Sequence, residues 1–258
     1  MKDLAEHLQE PMVNLLLSIA DDKLFLGHRN SNWTGIAPIL EADIAFSSLA
    51  QDDIAHASAI YDLISTVNGK DPDQIAFGRC PEQYLCSSIV STCDSFNWAA
   101  AIARQFFCNY FDYIRFQRLG SSAWQPLASL AKRLEAEQAI HIDHVSSWVV
   151  HLGTGNKESK NRMQESIDSY APLAAMLFEK PTGFGALVDE EILNQTDDFF
   201  ATWKRSLENV ISDGGLSLQI DQIKDNFAGG RSGKHDEDFL DSLKELHEVF
   251  NEDPAAKW

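Results

Sequence analysis

The chain has 258 residues, 44% hydrophobic and 23% charged, the balance of an ordinary globular protein with enough length for a sizeable core. Thirty-nine acidic residues against 21 basic ones give a net charge of −18, which disfavours nucleic acid and anionic membranes and favours basic protein surfaces as partners. No apolar run approaches the ~20 residues that cross a bilayer, and residues 1–10 lack the apolar stretch of a signal peptide, so the expectation is a cytoplasmic chain without membrane contact. Cys80, Cys86, Cys93 and Cys108 show neither Cys-x-x-Cys spacing nor a zinc-type grouping, and read as reduced, mostly buried thiols.

Helical periodicity dominates the chain. A first helix is expected over residues 11–29, with Pro11 in its first turn and the stripe Met12, Leu15, Ile19, Asp22, Leu26. A polar linker precedes a second helix over 38–67, closed by Asn68-Gly69. Residues 70–93, with Pro72 and Pro81, read as the long connection a bundle needs when its second and third helices are parallel neighbours. A third helix over 96–119 stops at Gly120-Ser121, and a fourth, capped by Ser121 or Ser122 with Pro126 in its first turn, ends at Gly153-Thr154-Gly155. A fifth over 157–179 contains Pro172 and should break near Tyr170. Shorter helices follow at 189–194 and 197–210, then glycine-containing loops and an amphipathic helix over 236–250 with Phe239, Leu243, Leu246 and Phe250 on one face. The fold class is all-α: one domain over 1–258, a four-helix core at about 11–153 with a long crossover, and accessory helices over 157–258.

Two helices place a polar residue and a histidine, three apart, where the apolar stripe should run. In the second, the stripe passes Phe46, Leu49, Asp53, His56, Ile60 and Leu63; in the fourth it passes Ala131, Leu134, Gln138, His141, Val145 and Trp148. The other two helices carry Asp22 and, in the register Ile102, Gln105, Asn109, Asp112, Phe116, a further acid. Di-iron bundles use Glu-x-x-His on two helices and single Glu residues on the other two. Here the order is kept with every Glu replaced, three by Asp and one by Gln. Aspartate is a methylene shorter, and glutamine cannot balance a cation's charge.

The expectation is a degenerate site of Asp22, Asp53, His56, Asp112, Gln138 and His141 without metal, its polar groups bonding one another. A single weakly held metal and a working di-iron centre are the readings left open. His144 is expected at the surface, and Glu137 and His141 are spaced to pair as i, i+4 neighbours. The segment Gly229-Gly230-Arg231-Ser232-Gly233-Lys234-His235 is no P-loop, because His follows Lys where Ser or Thr is needed.

Several segments carry a family resemblance. They are Asp21-Asp22 through Leu26-Gly27-His28-Arg29, Trp33-Thr34-Gly35, Ala37-Pro38-Ile39-Leu40-Glu41, Ile102-Ala103-Arg104-Gln105-Phe106, Glu137 with His141, and Trp148 to Gly155. The stretch Gly229 to His235 and a terminal Trp258 complete the set. In order and spacing they resemble the structural, non-catalytic PaaC-like family of bacterial phenylacetyl-CoA epoxidase components, over nearly the whole chain. Asp53 and His56 depart from it, since such second helices generally carry apolar and amide residues there. The resemblance implies a ferritin-like fold whose metal site has decayed. It also implies a stable complex with a homologous catalytic A subunit and the other epoxidase subunits, the di-iron centre being held by the partner and no cofactor by this chain. Beside this scaffold reading stand a ferritin-like metal-dependent oxidase using Asp22, Asp53, His56, Asp112 and His141, and a free-standing homo-oligomer such as a homodimer.

Overall fold

Four long helices supply the frame, and the short ones cover it. A computed structural model describes residues 4–194, 198–220 and 227–253. Among them there is no strand, and the order is α1 (Glu6–Ser31), α2 (Leu40–Asn68), α3 (Pro72–Phe77), α4 (Ser88–Ser91), α5 (Trp98–Leu119), α6 (Gln125–Thr154), α7 (Lys157–Ala174), α8 (Phe184–Asp189), α9 (Phe199–Asp213) and α10 (Glu237–Glu252). The helix α1 packs along α2, and α5 along α6, each pair joined by a short loop that folds one helix back on the other; α2 meets α6 across the bundle. Residues between α2 and α5 form the crossover, containing α3, a 3-10 turn at Pro81–Gln83 and α4. Two apolar clusters fill the interior. One gathers Phe25, Phe46, Ile102, Val145, Trp203 and Phe239; the other gathers Leu16, Ile60, Phe116, Leu134 and Leu187. Both draw on the four long helices and on the C-terminal third, so the later helices share the core.

The helix boundaries follow local chemistry. Gly69 closes α2 in the left-handed conformation, φ 70°, which glycine adopts without steric cost. Asn97, Asn156, Asp198 and Asp236 cap α5, α7, α9 and α10 through side-chain oxygens that accept backbone N–H bonds. Three expectations shift. The helix α1 begins at Glu6, so Pro11 lies inside it; the buried Leu8 anchors the extra turn in the core. The helix α7 runs through Pro172 and gives way only at a 3-10 turn over Ala175–Phe178, without a break at Tyr170, because buried Tyr170, Ala171 and Ala174 hold the last turn against the core. The short helix expected at 189–194 forms earlier, as α8. Asp197, expected to begin the next helix, and Trp258 lie outside the described residues. Cys86 and Cys108 are buried, but Cys80 and Cys93 are exposed in the crossover.

A candidate functional site at the bundle centre

Three consecutive charges of α1, Asp21, Asp22 and Lys23, are all buried. Successive residues of an α-helix point about 100° apart, so each reaches a different set of partners. Asp21 accepts a bond from Tyr61 Oη of α2 at 2.6 Å and, from the crossover, the Leu85 amide at 2.7 Å, and pairs with Arg79. Asp22 accepts the Ser87 amide at 2.9 Å and pairs with Arg231 at 2.7 Å and Arg115 at 3.2 Å. Lys23 enters the centre of the bundle. Its Nζ donates to Asp112 Oδ2 at 2.6 Å, Gln138 Oε1 at 2.8 Å and Asp53 Oδ1 at 2.9 Å, with the lysine side chain fully buried. An ammonium has three N–H donors, and here each has an acceptor.

The ion pairs form an alternating series: Asp53, Lys23, Asp112, Arg115, Asp22, Arg231. Three acids and three bases balance, the condition under which charges persist in an interior. Burial opposes the Lys23 ammonium, yet Asp112 and Asp53 more than offset it and raise its pKa above the usual lysine range. Burial likewise opposes the Asp112 carboxylate, and Lys23 and Arg115 together hold its pKa below the ordinary value. Asp53 Oδ2 accepts from Asn30 Nδ2 at 3.2 Å, Asn30 donates also to Gln105 Oε1 at 2.8 Å, and Gln105 donates to Asn109 at 3.1 Å.

Arg231 reaches this series from the far end of the chain. Its guanidinium also donates to the carbonyls of Ser18 and Leu85. The loop that carries it runs against the crossover: a side chain at Gly230 would strike the Cys86 carbonyl, and Gly233, at φ 74°, abuts the Glu82 carbonyl. The glycine-rich segment is a structural insert.

The two histidines flank the lysine. Their rings lie nearly parallel, centroids 5.9 Å apart and planes 14° apart. His56 Nε2 meets Glu137 Oε2 at 2.6 Å, and His141 Nε2 meets Asp52 Oδ2 at 3.1 Å; both carboxylates are about half exposed, at 47% and 49%. The pairing crosses between helices, so Glu137 serves His56 and not His141 as the i, i+4 spacing suggested. Both Nδ1 atoms are buried without a hydrogen-bond partner, and His141 Nδ1 stands 3.9 Å from Asp53 Oδ1. Burial first, and then the Lys23 charge, push the His56 pKa down, so the neutral ring donates through Nε2 and keeps a lone pair at Nδ1. His144 is half-buried against Phe46, not at the surface.

Of the six residues singled out in the sequence, the structure brings Asp53, His56, Asp112, Gln138 and His141 around one point. Asp22 is buried nearby, but its carboxylate faces Arg115 and Arg231. The position between the acids is taken by Lys23, which the stripe pattern missed. Among the described residues, no three His, Cys, Asp or Glu side chains are grouped to hold a metal ion.

The whole chain, residues 1–258, matches the PaaA_PaaC family, described as phenylacetic acid catabolic protein. The chain belongs to this family. The C component of the 1,2-phenylacetyl-CoA epoxidase of Escherichia coli strain K12 is 28% identical to it over 243 residues, 94% of this chain and 97% of the relative. Among its described residues the chain has no helix long and apolar enough to cross a membrane.

Proposed function

We propose that this chain is the non-catalytic structural subunit of a multicomponent di-iron oxygenase that epoxidises phenylacetyl-CoA in aerobic phenylacetate catabolism. It is a single ferritin-like domain, a four-helix core with accessory helices, that scaffolds a homologous catalytic A subunit in the cytoplasm. The observation that carries this reading is the Lys23 ammonium seated among Asp53, Asp112 and Gln138. A pair of divalent cations needs several carboxylates around it. Here the acids are short, one position is a neutral amide, and a lysine already supplies the compensating positive charge. The donor set does not fit a di-metal pair, and the oxidative chemistry falls to the partner's metal centre.

Support for a partner comes from the relative, which is itself one component of a multisubunit epoxidase, and from the outside of the bundle. Ile36, Ile39, Leu40 and Ile44 at the start of α2, Ile54 further along it and Ile140 on α6 are all exposed. Interfaces of permanent complexes are apolar in this way.

The second reading, a metal-dependent oxidase in its own right, draws on one observation, the two unpartnered Nδ1 atoms of His56 and His141. Purification of the tagged chain from its native host, with elemental analysis of chain and complex, separates the two. The scaffold reading expects a homologous subunit to co-purify in equal amounts and iron to follow that subunit. Two irons per chain in the isolated protein would overturn it.

A further inference from the structure

Away from the bundle centre, between α1, α5, α8 and the start of α9, lies a cavity of about 730 Å³. That is within the range of pockets for small organic ligands. Among the described residues, six phenylalanines line it. The described lining also carries four bases (Arg115, Arg118, Lys180 and Arg231) and two acids, Glu179 and Asp198, with Arg115 and Arg231 already matched by Asp112 and Asp22. Three of the bases are seated over phenylalanine rings of the same wall. Arg115 lies 5.0 Å from the centroid of Phe111, Arg118 5.0 Å from Phe199, and Lys180 5.3 Å from Phe184. Phe111 and Phe199 stack at 4.8 Å, with Phe178 edge-on to both.

We infer that this cavity is a binding site for an aromatic organic anion. Ring faces and edges receive a flat apolar body, and Lys180 over Phe184, with Arg118 over Phe199, receives its negative group. Arg115 and Arg231 are held in place by Asp112 and Asp22, so that part of the wall is preorganised. Lys180 is exposed at the opening, where it can close on the anionic group. The volume leaves room for a ligand larger than one ring. The cavity shares Arg115 and Arg231 with the ionic series of the centre, but its phenylalanines and Lys180 take no part there.

The test uses the full chain and the fluorescent probe 8-anilinonaphthalene-1-sulfonate, with the uncharged N-phenyl-1-naphthylamine as its isostere. One sulfonate probe should bind per chain, at least tenfold tighter than the isostere, and be displaced by millimolar 1-naphthylacetate. Lys180→Glu should weaken the probe tenfold or more, and Lys180→Arg should retain it; Lys180 is exposed, and an unchanged melting temperature confirms that each variant folds. Equal binding of the uncharged isostere, no response to Lys180→Glu, or no displacement by the carboxylate would overturn the assignment. Binding that persists in the purified complex supports it; loss of the site on assembly would give the cavity to the partner and overturn it.

Discussion

The centre of the bundle and the outer edge of the same two helices, α2 and α6, satisfy their polar groups in different ways. At the centre every charge is matched inside the chain: Lys23 uses three donors on three acceptors, and the series through to Arg231 is neutral. Toward the edge, the buried His56 and His141 lean on half-exposed Glu137 and Asp52 and keep an unpartnered nitrogen each, and Ile54 and Ile140, close to them in sequence, are exposed. The contrast teaches that the charges of the interior are matched within the chain, whereas the outer face leaves apolar surface and solvent-exposed pairs for a neighbour to cover. Charge at the centre holds the architecture together; the edge is where association and acidity are felt.

The sharpest way to break this comparison is at Lys23. Lys23→Met would leave Asp53 and Asp112 buried without their shared cation. The expected loss is about 3–5 kcal/mol, or a melting temperature lower by about 10 °C. A variant as stable as the parent would mean that the centre does not depend on its lysine. Arg231→Met should cost about 3 kcal/mol and make residues beyond α9 more susceptible to limited proteolysis, because Arg115 would be the one cation left to Asp22.

A pH titration of stability reads both regions together. Burial lowers the pKa values of His28, His56, His144, His235 and His247 below the ordinary 6.5. The unfolded chain therefore binds protons first, so stability should fall as pH drops past 6.5 and go on falling until the folded-state values are passed. A second loss belongs to Asp112, whose folded pKa lies below the ordinary 3.8. Its contribution is present above that value and disappears as pH falls through the folded one. Denaturant midpoints measured from pH 8 to pH 3 should show both; a flat profile between pH 7 and pH 5 would contradict the first.

Smaller effects belong to the edge. Glu137→Gln and Asp52→Asn remove half-exposed partners of the histidines and should each cost at most about 1 kcal/mol by chemical denaturation. Ile44→Lys and Ile140→Lys should shift the isolated chain by no more than about 0.5 kcal/mol, yet reduce recovery of the partner in a pull-down.

Much of this was legible in the sequence, for reasons that also explain the gaps. The helices α2 and α6 each bury one face, and α5 alternates buried and less buried residues from Tyr110 on, so a 3.6-residue period picked out Asp53, His56, Asp112, Gln138 and His141. In α1 that logic fails. From Ser18 to Gly27 every residue is buried, because the crossover and the C-terminal segments cover what would otherwise be its solvent side. With no exposed face, periodicity cannot say which of Asp21, Asp22 and Lys23 points inward, and it selected Asp22. A run of three charges set between Ala20 and Leu24 was the available signal. Arg231 escaped notice because its partner Asp22 is distant in sequence, and the cavity because it forms only where four separate elements meet.

The bond between Asp22 and Arg231 spans 209 positions. The first helix therefore holds a carboxylate whose partner guanidinium lies far along the chain, on the loop before α10. The helices can gather through nearer contacts, but this ionic closure joins distant segments, which gives the last stage of folding a slow, long-range character. Until Arg231 docks, the unfinished interior is the part a chaperone or a protease would meet.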